Sequence, residues 1–348
     1  MHVFPGFLHD TFNERDNHLP IAMARQFIRD AFAYPARPPC LLSADRDGPT
    51  YREYQALAAP LPRWSPRRFG YAVTRALLAT IGRLSDGVRL GWRRGFDSGA
   101  MLDYVYRDRA AGFTPLGRLI DRAYLDSPGW RGIRSRRRQL QSLLSRAIMT
   151  VGIEGRPVRI ADIAAGPGRY VLEVLARRPE RDIVAVLADR DAGNVEAGRR
   201  LARELDLDGV RCVQGDAFDA EQLCRLSPRP TIAIVSGLYE LFPDNAPVEA
   251  SLAGLTEALE DGGYLIYTNQ PWHPQLDFIA RVLTNHRDGG RWVMRRRSQA
   301  EMDQLVAAAG FDKVDMTVDE GGIFTVSLAR KRPRPVVVLP TSLSAAAV

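Results

Sequence analysis

Residues 158–170 constrain the fold of this chain more than any other segment. An apolar strand pattern ends at Asp162, a Gly-x-Gly turn follows at Gly166 and Gly168, and a helical pattern begins at Tyr170. Glycine is needed where a ligand approaches the backbone more closely than a Cβ would permit. Backbone amides at the start of the new helix can then face that ligand. The segment therefore predicts a strand–turn–helix unit that binds a nucleotide-like molecule.

From position 158 onward, strand patterns alternate with helical patterns. Such alternation predicts a parallel sheet with helices on both faces. Residues 319–323 are too few for a crossover helix, so the last two strands form a hairpin and the final strand is antiparallel. We predict strands at 158–163, 183–188, 210–213, 231–235, 264–268, 313–318 and 324–329, and helices at 170–177, 192–205, 246–259, 274–283 and 298–309.

The composition divides the chain into four regions. Residues 1–60 hold a short helix at about 19–32 and a linker rich in proline and glycine, and residues 61–150 are helical. Residues 151–330 form the nucleotide-binding domain. Residues 331–348 are rich in proline, serine and alanine without periodicity, so we expect a disordered tail.

The helical region contains a long apolar stripe with arginines between its members. The stripe predicts one amphipathic helix at 67–94, and a second helix is predicted at 133–149. Such a cationic helix could pack as a lid on the catalytic domain or lie on an anionic membrane surface. The stripe consists of Phe69, Val73, Leu77, Ile81, Leu84, Val88 and Trp92.

Composition excludes several classes of protein. Hydrophobic residues make up 45% and charged residues 26% of the chain, as in ordinary globular proteins. No apolar run reaches the ~20 residues that span a bilayer, and the N-terminus lacks the pattern of a secretory signal. Three irregularly spaced cysteines favour neither a disulfide framework nor a metal site. We expect a cytoplasmic protein, with peripheral contact to the inner membrane left open.

The net charge of +7 does not by itself indicate a nucleic-acid partner. Only Lys313 and Lys331 among the 48 basic residues are lysines, a skew typical of a GC-rich genome. No segment resembles a nucleic-acid-binding module, so we expect a small-molecule or lipid substrate instead. The sequence makes no prediction of the oligomeric state.

Three acidic residues follow three successive strands. Asp189 closes the second strand, where a carboxylate can accept both ribose hydroxyls of an adenosine. Asp191 is a second acceptor for the ribose or a helix N-cap. Asp216 and the amide of Ala217 can recognise an adenine edge. The three acids at the strand ends, Asp162, Asp189 and Asp216, thus line the crevice where open α/β sheets bind ligands.

These features resemble the class I S-adenosylmethionine (SAM)-dependent methyltransferases over about residues 130–330. That family ends its Rossmann-like, seven-stranded sheet with an antiparallel strand, whereas NAD-binding domains end with parallel strands. Val171 replaces the third glycine of the dinucleotide fingerprint, which favours a cofactor without a pyrophosphate. The resemblance implies SAM as cofactor and places Asp162 near its methionine amino group. The expected cofactor-binding residues are Asp162, Ala164, Gly166, Gly168, Asp189, Asp191, Asp216, Ala217 and Ser236.

A narrower resemblance is to bacterial methyltransferases that are often fused behind an α/β-hydrolase domain. Segments 91–99, 129–134, 236–242 and 269–275 carry it. Residues 1–35 are also similar to the last strand, histidine loop and terminal helix of such a hydrolase. The resemblance places His9 at the triad histidine, although an ordinary loop histidine is equally consistent. Without a Gly-x-Ser-x-Gly motif, no ester hydrolysis is expected.

The loops after the fourth and fifth strands face the transferred methyl group in this architecture. His273 is the leading candidate base because its ordinary pKa lies near neutrality, and Glu240 and Tyr239 come next. Each also has a structural interpretation: a turn histidine, a helix N-terminal acid and a core-edge aromatic. The candidate substrate-binding residues are Trp272, Gln270, Arg134 and Arg296.

The sequence thus predicts a SAM-dependent methyltransferase that acts on a small or lipid-like molecule by in-line transfer to oxygen or nitrogen, without a metal. One alternative is an NAD-linked oxidoreductase of Rossmann type. The other is a catalytically silent SAM-fold protein that binds a membrane surface or RNA.

Overall fold

The computed structural model describes residues 3–33, 39–178 and 182–333. The chain divides into two compact units, residues 1–40 and 41–348. In the first unit, helix α1 (His18–Ala33) follows a series of turns. It confirms the helix predicted at about 19–32. Residues 3–17 form no strand, although the resemblance to a hydrolase implies one before His9.

Six helices open the second unit and precede the sheet. None of the described helices is both long and apolar enough to cross a bilayer. The six are α2 (Pro49–Ala58), α3 (Pro66–Ala79), α4 (Asp86–Arg94), α5 (Gly99–Arg107), α6 (Pro115–Leu125) and α7 (Pro128–Ile153).

The single helix predicted at 67–94 is wrong, because α3 and α4 are separate. A 3-10 turn, Ile81–Leu84, lies between them. The hydroxyl of Ser85 accepts a hydrogen bond from the amide of Val88 and so caps α4. That hydroxyl also donates to the buried carboxylate of Asp121 on α6, which anchors the break. The apolar periodicity continues across the turn, so it does not show the interruption.

Helix α7 joins the helical region to the sheet. It begins at Pro128, where a missing amide hydrogen costs nothing, and contains the helix predicted at 133–149. One side of α7 is buried against the sheet and α8 (Arg169–Ala176). The buried apolar side chains on that side are Leu140, Leu143, Leu144, Ala147, Ile148 and Val151.

Seven strands form one sheet in the order β3-β2-β1-β4-β5-β7-β6. The first five strands are parallel, and β7 is antiparallel to both of its neighbours. This confirms the predicted Rossmann-like class I methyltransferase fold with its closing hairpin. The strands are β1 (Arg159–Ile163), β2 (Val184–Asp189), β3 (Val210–Gln214), β4 (Ile232–Val235), β5 (Tyr264–Asn269), β6 (Phe311–Val318) and β7 (Thr325–Lys331).

Helices cover both faces of the sheet and create two apolar cores. Leu187 and Ile234 face one core and Val235 and Leu265 the other, because parallel strands in the middle of such a sheet are buried on both sides. The predicted tail reaches beyond the described residues, so positions 334–348 lie outside them. The remaining helices are α9 (Ala192–Glu204), α10 (Ala220–Cys224), α11 (Asn245–Ala258), α12 (Leu276–Val282) and α13 (Gln299–Ala308).

Candidate active site

The loop between β1 and α8 is held in a left-handed backbone conformation at three positions. The φ angles are +54° at Ala164, +58° at Gly166 and +69° at Gly168. Glycine adopts this region readily, but an alanine there costs roughly 1–2 kcal/mol. Hydrogen bonds from the amide of Ala165 to the carbonyl of Ala188 (3.0 Å) and from Gly168 to Ala165 (2.9 Å) fix the loop. Backbone strain of this kind is concentrated at ligand-binding sites.

The two glycines of the loop serve different purposes. A Cβ at position 168 would overlap the side chain of Leu187, so Gly168 lets the loop pack closely on β2. A Cβ at position 166 would lie 3.5 Å from the Cα of Gly99, at the start of α5. Val171 stands where a dinucleotide-binding loop has its third glycine, and it is fully buried in α8. The close approach of the loop to the sheet is provided here by Gly168.

Asp162 lies at the carboxyl end of β1 and is fully buried. The hydroxyl of Tyr170 donates to both of its oxygens, at 2.7 and 2.6 Å. Burial, assisted by the charge of Asp189, raises the pKa of Asp162 to about 8, against the opposing effect of the Tyr170 hydrogen bond. The carboxyl group is therefore mostly protonated at neutral pH in the free protein.

Asp189 is positioned by three donors at the end of β2. Its carboxylate accepts hydrogen bonds from the amide of Gly166 (2.7 Å), the amide of Asp191 (2.9 Å) and the side chain of Asn194 (3.1 Å). Asp191 instead caps α9 by accepting from the amides of Gly193 and Asn194. Of the two acids, Asp189 therefore lies against the glycine loop and Asp191 serves the helix.

The loops after β3 and β4 complete the crevice. Asp216 accepts a hydrogen bond from the amide of Phe218 (2.9 Å), which turns the chain, and Ala217 is buried behind it. The hydroxyl of Ser236 is buried and has no hydrogen-bond partner among the described residues. A buried hydroxyl without a partner is costly unless a ligand satisfies it, so Ser236 can serve a polar group of a ligand bound in this crevice.

An apolar cavity of about 330 Å³ lies beside the crevice, between the helical region and the loops after β4 and β5. Its size suits a small organic molecule. Most of its wall is apolar, and residues from α7, α12 and the segments near positions 96 and 293 contribute to it. Prominent wall residues are Phe96, Trp130, Ile133, Phe278, Trp292 and Met294.

The buried carboxylate of Glu240 is one of the polar groups that line this cavity. Its Oε1 accepts a hydrogen bond from Thr268 (2.8 Å) and lies 3.5 Å from Nη1 of Arg136. Its Oε2 is buried and has no hydrogen-bond partner among the described residues. Arg136, itself buried, stacks its guanidinium 4.8 Å from the ring centroid of Phe324. The cavity thus contains a carboxylate oxygen that is free to bind a ligand.

His273 also lines the cavity, and its hydrogen bonds decide which nitrogen is available. Nδ1 accepts from the amide of Gln275 (3.0 Å), which assigns the hydrogen of the neutral ring to Nε2. Burial lowers the pKa of His273 to about 4, with a smaller opposing effect from Asp319. At neutral pH this imidazole is therefore uncharged and offers a donor, not an acceptor.

Tyr239, the third candidate for catalysis, faces the other side of the sheet. Its hydroxyl donates to Ser251 of α11 (2.9 Å) within the second apolar core. Burial raises the pKa of this phenol well above its ordinary value. A catalytic role would require the hydroxyl to leave that core.

The four candidate substrate-binding residues occupy different environments. Gln270 is buried and lines the cavity, whereas Trp272 is half exposed. Arg134 donates to a backbone carbonyl at the end of α6 (2.8 Å). Arg296 forms an ion pair with Glu53 of α2. The structure thus brings only Gln270 of the four to the cavity wall.

Sequence reasoning missed Arg136 and the segment around Asp97. Arg136 belongs to an arginine-rich run that reads as a solvated charge cluster. Its spacing from Ile133 and Leu140 nevertheless places it on the buried stripe of α7, and that signal could have identified it. Asp97 lines the cavity two residues before Gly99, which approaches the glycine loop.

The sheet order and the antiparallel closing strand are those of the class I methyltransferase fold. The chain belongs to the "Putative methyltransferase" family, whose model matches residues 24–331. The uncharacterized protein YnbC of Escherichia coli (strain K12) is 48% identical over 334 residues. That match covers 95% of this chain, which spans 57% of the length of the relative.

Solved structures are similar to this chain at low sequence identity. A "possible exported protein" from Bordetella parapertussis has a TM-score of 0.57 at 19% identity, over 85% of this chain and all of that one. Magnesium protoporphyrin IX methyltransferase from Synechocystis PCC 6803, with bound SAH, has a TM-score of 0.46 at 13% identity, over 69% of this chain and 98% of that one. Membership of the family supports methyl transfer.

The Arg136–Glu240 pair leads to a prediction about stability. Arg136→Met should lower the free energy of unfolding by about 3 kcal/mol, because it leaves a buried carboxylate without its cation. The double variant Arg136→Met/Glu240→Met should recover most of that loss. Urea denaturation of the three proteins measures both effects. A double variant as unstable as Arg136→Met alone would contradict the pairing.

Proposed function

We propose that this chain is a SAM-dependent methyltransferase that methylates an oxygen or nitrogen atom of a small, largely apolar molecule. The observation that carries the proposal is the unpartnered carboxylate oxygen of Glu240 in the wall of a largely apolar cavity. That cavity adjoins the crevice through the Asp97–Gly99 segment. Membership of the methyltransferase family supports the same activity.

The cofactor would be held by residues from four strand ends. Asp189 would accept the ribose hydroxyls, and Asp216 with the amide of Ala217 would bind the adenine edge. Asp162 would pair with the methionine ammonium group, and Ser236 would find its missing partner on the cofactor. When bound, SAM supplies an electrophilic methyl group.

The residues of the cavity would prepare the acceptor. Glu240 Oε2 would accept the proton that an acceptor hydroxyl loses as its oxygen takes the methyl group, or the proton that an ammonium group must lose before its nitrogen can attack. Arg136 Nη1 lies 3.5 Å from the other carboxylate oxygen of Glu240 and would keep that side chain in place, and Nε2–H of His273 would donate to the acceptor and orient it. The sequence favours His273 as the base, whereas its hydrogen bond from the amide of Gln275 supports the role of donor proposed here.

Two alternatives are less well supported. An NAD-linked oxidoreductase fits neither the family nor the antiparallel last strand. A catalytically silent SAM-fold protein would have no use for a free carboxylate in a buried cavity. Fusion to a hydrolase with His9 as its histidine stays a prediction, as does the activity of any longer form of the protein.

Asp189 provides the test of the cofactor. Asp189→Ala should weaken SAM binding by about 100-fold, because it removes two charge-assisted hydrogen bonds to the ribose. Isothermal titration calorimetry with SAM measures the affinity, and Asp208→Ala, at an exposed loop position, is the matched control. Unchanged SAM affinity in Asp189→Ala, or tighter binding of NADH than of SAM, would overturn the assignment.

Asp162 predicts a pH dependence of that binding. Its pKa is raised to about 8 in the free protein, so pairing with an ammonium group must release its proton. Binding at pH 6.5 should release about one proton per SAM, and affinity should rise with pH up to about 8. Calorimetry in buffers of different ionisation enthalpy counts the protons. Asp162→Asn should bind weakly without proton release, and wild-type binding without proton release would contradict the pairing.

Glu240 provides the test of catalysis. With methyl-labelled SAM and a bacterial lipid extract, we expect label in an apolar product, and Glu240→Gln should lower the rate by about 100-fold or more. SAM affinity should stay unchanged, and exposed Glu249→Gln on α11 is the control. Undiminished transfer by Glu240→Gln would exclude it as the base. Binding of SAM without any transfer would favour the silent protein.

A further inference from the structure

The outward face of α3 is apolar along its whole length. Phe69, Val73 and Leu77 follow one another at four-residue spacing and so lie on one side of the helix. Ala72 and Ala76 lie between them and are also exposed. No side chain of α3 is buried. An amphipathic helix normally turns such a face toward a core.

The opposite face of α3 is already engaged. The hydroxyl of Tyr71 donates to Asp277 of α12 (2.5 Å). Arg75 donates to the carbonyl of Val282 (3.2 Å) and stacks 5.3 Å from the ring centroid of Trp92. The polar positions of α3 therefore hold it on the protein, and its apolar positions face outward.

The exposed apolar surface continues from α3 onto α6. Ile81, in the 3-10 turn after α3, is exposed, and that turn packs on α6. The amide of Phe113 donates to the carbonyl of Leu84 (3.2 Å), which joins the two elements. The surface, which we name the apolar rim, has side chains that are 42–74% exposed. Its members are Phe69, Val73, Leu77, Ile81, Phe113, Leu116 and Leu119.

The apolar rim borders the acceptor cavity. Leu78, next to Leu77 of the rim, lines the cavity on the α3 side. Ile120 and Ala123, next to Leu119, line it on the α6 side, and Ala123 is exposed to solvent. The cavity therefore reaches the surface between two elements whose outer faces are both apolar.

Arginines outnumber acidic residues around the rim, although Arg67 is paired with Asp277 and Arg122 with Asp108 and Asp126. Residues 54–85 contain five arginines and no acidic residue. Arg109 and Arg118 flank the α6 side and are exposed. Asp121, the acid between Arg118 and the end of α6, is buried and accepts hydrogen bonds within the protein. A surface that combines exposed apolar side chains with arginines complements anionic lipid headgroups over an acyl layer.

We propose that the apolar rim and its arginines dock the protein on an anionic lipid membrane, and that the acceptor enters the cavity from that membrane. Entry of the acceptor from the membrane rests on the proposed function, since it takes the cavity as the acceptor site. A patch of this extent exceeds the scattered apolar residues of an ordinary surface. Docking would bring the opening between α3 and α6 against the acyl layer. An apolar substrate could then reach Glu240 without crossing water.

Vesicle flotation without SAM tests the docking separately from catalysis. The wild-type chain should float with vesicles of phosphatidylcholine mixed with phosphatidylglycerol, and not with phosphatidylcholine alone. Added salt should weaken the binding, because it screens the arginines. Leu77→Asp/Leu119→Asp should reduce vesicle affinity by about tenfold or more, since two apolar side chains no longer leave water and two repelling charges are added.

Strand β6 offers a matched control. Val314 and Val318 are about as exposed as Leu77 and lie on the edge strand at the far end of the sheet order. Val314→Asp/Val318→Asp should bind vesicles like the wild type. Calorimetry with SAM on all three proteins shows whether each is folded and distinguishes a failure of docking from a failure of the cofactor assignment.

Three results would overturn the docking proposal. The first is a wild-type chain that ignores anionic vesicles, and the second is a rim variant that binds them undiminished. The third is a wild-type chain that forms an oligomer, a rim variant that sediments as a monomer, and no vesicle binding by either protein. That result would assign the rim to a second copy of this chain. A wild-type chain that does not bind SAM would overturn the proposed function. The vesicle experiment would still test the docking proposal.

Discussion

The buried ion pair between Arg136 and Glu240 connects the helical region to the sheet. Arg136 lies on α7, and Glu240 lies in the loop after β4. Neither side chain can move alone, because a single buried charge costs several kcal/mol. A second arginine fixes the same loop: Arg297 donates to the carbonyls of Tyr239 (2.6 Å) and Asp244 (2.7 Å). Burial lowers the pKa of Arg297 to about 10, so it remains charged at neutral pH.

The helical region and the loops of the sheet contribute different groups to the cavity. The helical region supplies apolar walls such as Phe96 and Trp130, and the sheet loops supply Glu240 and His273. Where the layers meet, Gly99 approaches the glycine loop and Asp97 accepts a hydrogen bond from the amide of His286 (2.6 Å). The same short segment thus borders both the cofactor crevice and the cavity, so a ligand in one would restrict the segment that shapes the other.

The sheet could be predicted from the sequence because its signals are local. Strands buried on both faces give continuous apolar runs, and the linker at 319–323 is too short for a helix. The break at Ser85 was missed because the 3-10 turn preserves the apolar spacing. The orientations of Tyr239 and Glu240 could not be predicted either. A second 3-10 turn, Tyr239–Leu241, directs these adjacent side chains to opposite sides of the sheet.

The unpartnered polar atoms of the site indicate what kind of ligand it accepts. Native proteins leave few buried polar atoms without a hydrogen bond. Among the described residues, five such atoms belong to side chains of the site: Oγ of Ser236, Oε2 of Glu240, Nε of Arg136, Oδ2 of Asp97 and Nε1 of Trp292. Ser236 follows β4 at the crevice, whereas Glu240 and Arg136 belong to the cavity. Because the rest of the cavity wall is largely apolar, the acceptor proposed above would need a small polar group on a larger apolar body, which is the chemistry of an amphiphile.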